Sequence, residues 1–174
     1  IVKCNGFGEE IYRVDDSGVI TGTERDSYGK VISTFTVADP NNFAVGPNDP
    51  NFFDLFTNCQ TKDVSSAYSS VIVTNQTKTL YNGLGQTYQI WVAVDDGPFY
   101  YNNPTSWYVT QYHYDDYGRK DHEIEDVTGL YLVTSYEYNR QGELTKTTYP
   151  DNHWVKTIRN GRGLVTDTIT GYGT

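Results

Sequence analysis

The sequence predicts an all-β fold of repeated antiparallel hairpins, and three observations predict it. Sixteen Tyr, seven Phe and three Trp stand beside many Thr and Val, the side chains that fit a pleated, half-buried surface. Sixteen Gly and six Pro interrupt the chain often, which suits frequent turns and disfavours long helices. A turn pattern then recurs: an aromatic residue, Val or Arg, followed by Asp or Asn, two free positions and Gly. Asp or Asn hydrogen-bonds backbone groups further along the turn. Gly supplies the left-handed conformation that closes a short hairpin loop with a bulge.

Val14-Asp15-Asp16-Ser17-Gly18 and Arg25-Asp26-Ser27-Tyr28-Gly29 open the chain, and residues 1–37 read as loosely patterned hairpins. Residues 38–68 depart from the pattern. Asp39-Pro40-Asn41-Asn42 and Gly46-Pro47-Asn48-Asp49-Pro50 are loop chemistry, and Phe52-Phe53-Asp54-Leu55-Phe56 reads as a short helical turn or a plug against the core. Residues 69–174 return to the repeat. Ser70-Val71-Ile72-Val73-Thr74 begins as a strand, Tyr81-Asn82-Gly83-Leu84-Gly85 turns it, and Ile90-Trp91-Val92-Ala93-Val94 reads as one buried strand. A second irregular insertion, 95–104, carries Gly97-Pro98 and Asn102-Asn103-Pro104.

Three more turns follow: Tyr114-Asp115-Asp116-Tyr117-Gly118, Tyr138-Asn139-Arg140-Gln141-Gly142 and Arg159-Asn160-Gly161-Arg162-Gly163. Their glycines are 24 and 21 residues apart, the regularity of a repeat architecture. Alternation flanks them, as in Leu144-Thr145-Lys146-Thr147-Thr148-Tyr149 and Leu164-Val165-Thr166-Asp167-Thr168-Ile169. Pro150-Asp151-Asn152-His153 makes the reversal between turns, so each repeat is strand, turn, strand, turn.

These motifs resemble the YD repeats of RHS-type proteins, best over residues 81–171. Tyr114-Asp115-Asp116-Tyr117-Gly118-Arg119 matches that consensus through the Arg after the Gly. Tyr138-Asn139-Arg140-Gln141-Gly142-Glu143 matches with Asn for Asp and Glu for Arg, and Tyr81-Asn82-Gly83-Leu84-Gly85-Gln86 resembles the variant that begins a run. The resemblance implies one twisted, curled sheet over 1–174 with two irregular loop insertions, in a single domain. It implies a structural role in a shell or an extended surface assembly. Nothing in the chain matches the self-cleaving region that can follow such repeats, so that activity is not implied.

Composition bounds the partners. Thirteen Lys and Arg against 22 Asp and Glu give a formal net charge of −9, a field that repels nucleic acid and anionic membranes. The longest apolar run is far too short to span a bilayer. The absence of Met and the start at Ile1 are those of a chain with a cleaved leader or an excerpt of a longer one. The polar, Tyr-rich makeup suits a secreted or cell-surface setting, where Cys4 and Cys59 are expected as a disulfide. Bridged, they close a loop of roughly 55 residues worth about 4 kcal/mol on the chain-entropy model. The alternative is two free thiols acting as small hydrophobes.

The chemistry-bearing residues point away from catalysis. His113, His122 and His153 have no partner at metal-ligand spacing. The doublets Asp15-Asp16, Asp95-Asp96 and Asp115-Asp116 lack calcium-loop spacing. Glu123, Glu125 and Asp126 are near one another, but alternation puts Glu123 and Glu125 on one solvent face. No cofactor, metal or catalytic group is expected. Asn75-Gln76-Thr77 is the one glycosylation-type sequon.

The repeat-turn residues, Asp15, Gly18, Asp26, Gly29, Tyr81, Asn82, Gly85, Tyr114, Asp115, Gly118, Tyr138, Asn139, Gly142, Asn160 and Gly163, are read as structural. Two functions suit this chain. The first is a self-associating filament or shell subunit joined by strand pairing into a homo-oligomer or polymer. The second is a carbohydrate-binding surface module, with Tyr100, Tyr101 and Trp107 stacking on sugar rings.

Overall fold

The computed structural model describes residues 2–4, 6–16, 19–37, 72–95, 99–100, 104 and 106–173. Among them there is no helix, and the strands are β1 Val2–Cys4, β2 Glu10–Val14, β3 Ile20–Arg25, β4 Val31–Val37, β5 Ile72–Tyr81, β6 Thr87–Val94, β7 Phe99–Tyr100, β8 Ser106–Tyr114, β9 Lys120–Glu125, β10 Leu132–Tyr138, β11 Leu144–Thr148, β12 His153–Arg159 and β13 Val165–Tyr172. Strands neighbour one another in chain order, apart from β7, which pairs with β5. Every pairing with a described register is antiparallel. The expected all-β hairpin fold is therefore the one found.

This topology puts the turns at two ends of the strands. β1, β3, β5, β8, β10 and β12 each run into an Asp/Asn-x-x-Gly turn, here called a rim turn. The strands leaving those turns reach reversals at the opposite end that vary more in kind: the turn opened by Asp15 after β2, and those at 126–131 and 149–153. Both irregular insertions leave from that opposite end, after β4 and after β6. Asn152 there takes the left-handed conformation, φ +64°, that Gly takes at the rim.

The chain divides into two compact units, Ile1–Leu80 with Ile90–Tyr108, and Tyr81–Gln89 with Val109–Thr174. The first has a conventional core. Tyr12, Ile20 and Val73 are fully buried, with Phe35 at 1% and Val37 at 5% exposure. Alternation along β4 sends Ser33, Phe35 and Val37 inward together. Gln76 on β5 donates to Ser33 Oγ at 3.1 Å, so the buried amide is partnered. Gly22 is paired with Tyr12 on one side and Phe35 on the other. The Phe35 ring lies where a Cβ on Gly22 would stand, so the bare glycine makes room for a large neighbour.

In the second unit only Val109 and Ile124 are buried hydrophobics among the described residues. β13 is exposed at every position except Gly171. Gly171 is paired with Trp154, and that ring occupies the space beside it, the same glycine–aromatic device as at Gly22.

Four expectations change. Ile90–Val94 is not a buried strand: Val92 and Val94 are 42% and 49% exposed, because β6 alternates between a half-buried and an open face. The 95–104 insertion contains β7, whose Phe99 and Tyr100 pair with Val73 and Ile72. The sequon Asn75 lies inside β5, opposite Thr36 and exposed, where it was expected beside a strand. Cys4 is an exposed free thiol. Its expected partner Cys59 lies outside the described residues, as do Phe52–56, Gly18 and Tyr101.

Candidate functional site

The feature that repeats with least variation is the rim turn. At 115–119 the Asp115 amide donates to the Arg119 carbonyl at 2.8 Å, and the Gly118 amide to the Asp115 carbonyl at 2.9 Å. Asp115 Oδ1 accepts from the amides of Tyr117 and Arg119 at 2.9 and 3.0 Å. The same set recurs at 26–30, 82–86, 139–143 and 160–164. The glycine closing each has φ between +77° and +86°, a region that any Cβ makes costly. Asp and Asn are interchangeable here because the turn needs one oxygen that accepts twice.

Around this constant core, two variable positions tie turns together. The first is the residue before the Asp or Asn. Tyr114 Oη donates to the Thr87 carbonyl at 2.6 Å, and Tyr138 Oη to the Lys120 carbonyl at 2.7 Å. Each tyrosine thus reaches back to the strand that leaves the preceding rim turn. Where Arg replaces Tyr, the guanidinium folds onto its own turn: Arg25 Nη1 donates to the Gly29 carbonyl at 2.8 Å and Arg159 Nη1 to the Gly163 carbonyl at 3.2 Å.

The second is the residue after the Gly, which reaches forward. Gln86 Nε2 donates to the Gly118 carbonyl at 2.8 Å. Arg119 Nη1 donates to the Asn139 carbonyl at 3.2 Å. Glu143 sits 3.8 Å from Arg159 Nε, and a Cβ on Gly163 would stand 2.9 Å from its Oε1. In the first unit the Glu9 carboxylate lies against Gly29 in the same way. Glu9, Gln86, Arg119 and Glu143 thus each lie against the glycine of the following turn within their own unit.

Arg119 is the hub of this ladder. It is ion-paired with Asp115, Nη2 to Oδ2 at 2.6 Å, and its guanidinium lies 4.6 Å from the Tyr138 ring centroid and 5.0 Å from that of Tyr117, within cation–π range. The hydrogen bond from Arg119 holds the Asp115 carboxyl below its ordinary 3.8.

A second cluster lies on the sheet face beside the ladder. Lys120 Nζ is 2.7 Å from Glu123 Oε2, which also accepts from Tyr136 Oη at 2.9 Å. Lys120 stands over the Tyr112 and Tyr136 rings at 5.2 and 4.8 Å. Burial pushes the Glu123 carboxyl up, but the hydrogen bonds from Lys120 and Tyr136 outweigh it and hold the group below 4.5. Glu123 was expected on a solvent face. It is half-buried and paired because the flanking tyrosines shelter it, while Glu125 is exposed as expected.

Asp15 accepts from the Val19 amide at 2.9 Å, making the same Asx bond at a turn on the opposite end of the strands. Trp107 is half-buried in the first unit, its ring edge-on to Trp91 at 5.9 Å with Lys78 Nζ over it at 4.6 Å. Tyr100 belongs to β7 by its backbone. His113 and His122 face each other across β8 and β9. His153 stacks on Tyr149 at 5.6 Å and touches Tyr172 at 5.3 Å. Among the described residues no three His, Cys, Asp or Glu gather as a metal site.

No family model and no curated protein matches the chain. Solved structures do. The chain is similar to a TcdB2-TccC3-TEV crystal structure at 8% identity and a TM-score of 0.34, covering 98% of this chain and 10% of that one. It is similar to a Photorhabdus luminescens Tc holotoxin pore at 9% identity and TM-score 0.35, with 98% and 10% covered. A TcdB2-TccC3 crystal structure gives 8%, 0.35, 98% and 10%. The chain thus spans about a tenth of the length of these structures.

One rim turn escaped the sequence pattern. Gly8 has φ +80°, and Cys4 pairs with Glu10 across a register shift. Tyr114 pairs with Lys120, and Arg25 with Val31, in the same manner. Cys4-Asn5-Gly6-Phe7-Gly8-Glu9 is therefore a further copy. It was missed because Cys stands where the pattern asked for an aromatic residue, Val or Arg. The Asn-x-x-Gly spacing alone finds it.

Proposed function

We propose that the chain is a non-catalytic structural element, a length of YD-type β-scaffold in a secreted or cell-surface assembly that associates through its open strand edges. The observation that carries this reading is the rim ladder. Side chains at fixed motif positions are spent on joining one turn to the next, through Gln86, Arg119, Glu143 and the backward-reaching Tyr114 and Tyr138. Such an arrangement stabilises nearest neighbours and extends by adding repeats, which is the logic of a scaffold. Edge strands support association. Among the described residues β1 pairs only with β2, and β13 only with β12. β13 carries one acidic residue, Asp167, and no Lys or Pro to blunt its edge.

The test is the native molar mass by light scattering across a concentration series. A mass rising with concentration is expected. A monomer of 19.7 kDa at every concentration overturns the associating role.

A further inference from the structure

The rim turns at 115–119 and 139–143 enclose a groove of about 410 Å³, lined by Tyr117, Arg119, Asn139, Arg140, Gln141 and Gly142. All six residues belong to one compact unit. The volume falls at the small end of ligand sites, which run from about 300 to 1,000 Å³.

The groove's charge is opposite to that of the chain. The formal net charge is −9, yet two arginines and no carboxylate form the lining. The acids nearby are already paired. Asp115 is 2.6 Å from Arg119 Nη2, and Glu143 accepts from Asn139 Nδ2 at 2.7 Å and lies 3.8 Å from Arg159. Asp116 is exposed and stands outside the lining. Arg140 is exposed, and among the described residues no hydrogen bond, ion pair or ring contact engages its side chain. The same is true of the side-chain amide of Gln141.

Arg119 also has donors to spare. A guanidinium carries five N–H groups. Nε and one N–H of Nη2 go to Asp115, and one N–H of Nη1 goes to the Asn139 carbonyl, which leaves one on each terminal nitrogen. The nearest atom to where a Cβ on Gly142 would stand is Arg119 Nη1, at 3.9 Å, so the bare glycine leaves room beside that nitrogen. Tyr117 supplies an apolar wall. Its ring is 84% exposed and is steadied by the Arg119 guanidinium at 5.0 Å.

These groups select the ligand. A bound peptide draws on main-chain partners, as at an open strand edge. Here the amides of Tyr117, Arg119, Gln141 and Glu143 are taken by the Asp115 and Asn139 side chains, and that of Gly142 by the Asn139 carbonyl. Side-chain donors and one aromatic face are what remain, a set that suits hydroxyls, a carboxylate and the C–H face of a ring. A long polyanion would meet the repulsion of the whole chain, whereas a single carboxylate meets the arginines alone.

We propose that this groove binds a sugar ring bearing one carboxylate. Arg140 and the spare donors of Arg119 take the carboxylate, Tyr117 stacks on the ring, and Gln141 bonds a hydroxyl. The site lies within one unit and needs no assembly, so it goes beyond the scaffold reading and does not depend on it.

The test is an NMR titration of the intact chain with methyl glucuronide, the methyl glycoside of N-acetylneuraminate, methyl glucoside and N-acetylglutamate amide. For so small a ligand a dissociation constant on the order of 1 mM is expected. Saturable shifts should appear at the amides of Tyr117, Gln141 and Gly142 with one or both acidic sugars, and the tighter of the two names the sugar class. Arg140→Gln should weaken binding about tenfold, the effect of losing a charged hydrogen bond. Arg162→Gln removes an exposed arginine outside the groove and should leave binding unchanged. The inference is overturned if no saturable shift appears in the millimolar range, or if methyl glucoside binds as well as the acids. Tighter binding of the glutamate derivative also overturns it and assigns the groove to acidic peptides. Equal weakening by Arg162→Gln overturns it as well, because general charge and not the groove would then hold the ligand.

Discussion

In the unit 1–80 with 90–108, Tyr12, Ile20, Phe35 and Val73 are almost wholly removed from water, and a buried Gln76–Ser33 pair is satisfied among them. In the unit 81–89 with 109–174 only Val109 and Ile124 reach that depth among the described residues. Yet this second unit has the more complete ladder of rim turns, with successive contacts from Gln86, Arg119 and Glu143. Both are antiparallel meanders built on one turn chemistry. The comparison teaches that a sheet short of core draws its order from repeated turn-to-turn hydrogen bonds and from tyrosines bonded to backbone, while the unit with a core tolerates looser motifs. Val14, Arg25 and Cys4 hold the first motif position in the first unit. Tyr81, Tyr114 and Tyr138 hold it in three of the four rim turns of the second.

The largest test of the contrast is Phe35→Ala. Removing this ring takes away a side chain only 1% exposed and should cost about 3–5 kcal/mol, read by denaturant unfolding. Hydrogen exchange should assign the loss to strands β2 to β5, leaving the 139–143 and 160–164 hairpins protected. Equal loss in both units would break the comparison.

Next in size is Gly118→Ala. At φ +77° the added Cβ should cost about 1–2 kcal/mol, confined to the second unit. Asn139→Ala follows. It removes the oxygen that accepts from Gln141 and Glu143 and should cost about 1 kcal/mol. Asn139→Asp keeps that oxygen and should restore most of the loss; failure of this rescue would show that the turn does not depend on the double acceptor.

The smallest effect is on acid sensitivity. Asp115 and Glu123 are held below their ordinary 3.8 and 4.5 in the fold. Their contribution is fully present above those ordinary values. It is lost as pH falls from there through the lowered values, because the unfolded chain takes up the protons first. Glu123→Gln should therefore flatten part of the second unit's loss of stability between about pH 5 and 3, measured by thermal melts. An unchanged slope would remove Glu123 from the account.

Much of this fold is legible in the sequence because the turn carries its own chemistry. Asp115, Asn139 and Asn160 announce their double acceptance, and Gly118, Gly142 and Gly163 announce a positive φ, within a five-residue window. Alternation then gives the strands. Contacts that cross the sheet are not legible in this way. Nothing local in Gln86 says that it reaches Gly118, or in Tyr138 that its hydroxyl meets the Lys120 carbonyl, because register between repeats sets both. Depth of burial is also poorly legible. Ile90–Val94 looks like core by composition, yet Val92 and Val94 face an open side. The turn at Cys4–Glu9 was hidden by its first residue, and β7 by the Gly-Pro and Asn-Asn-Pro around it.

The most direct test of the ladder is hydrogen exchange on Arg119→Ala, followed amide by amide through the second unit. Arg119 belongs to one turn and donates to the carbonyl of Asn139 in the next. If turn-to-turn contacts hold this unit, protection should fall at 139–143 as well as at 115–119, while Tyr12, Ile20 and Phe35 exchange as before. Loss confined to 115–119 would contradict the account, since each turn would then stand by itself.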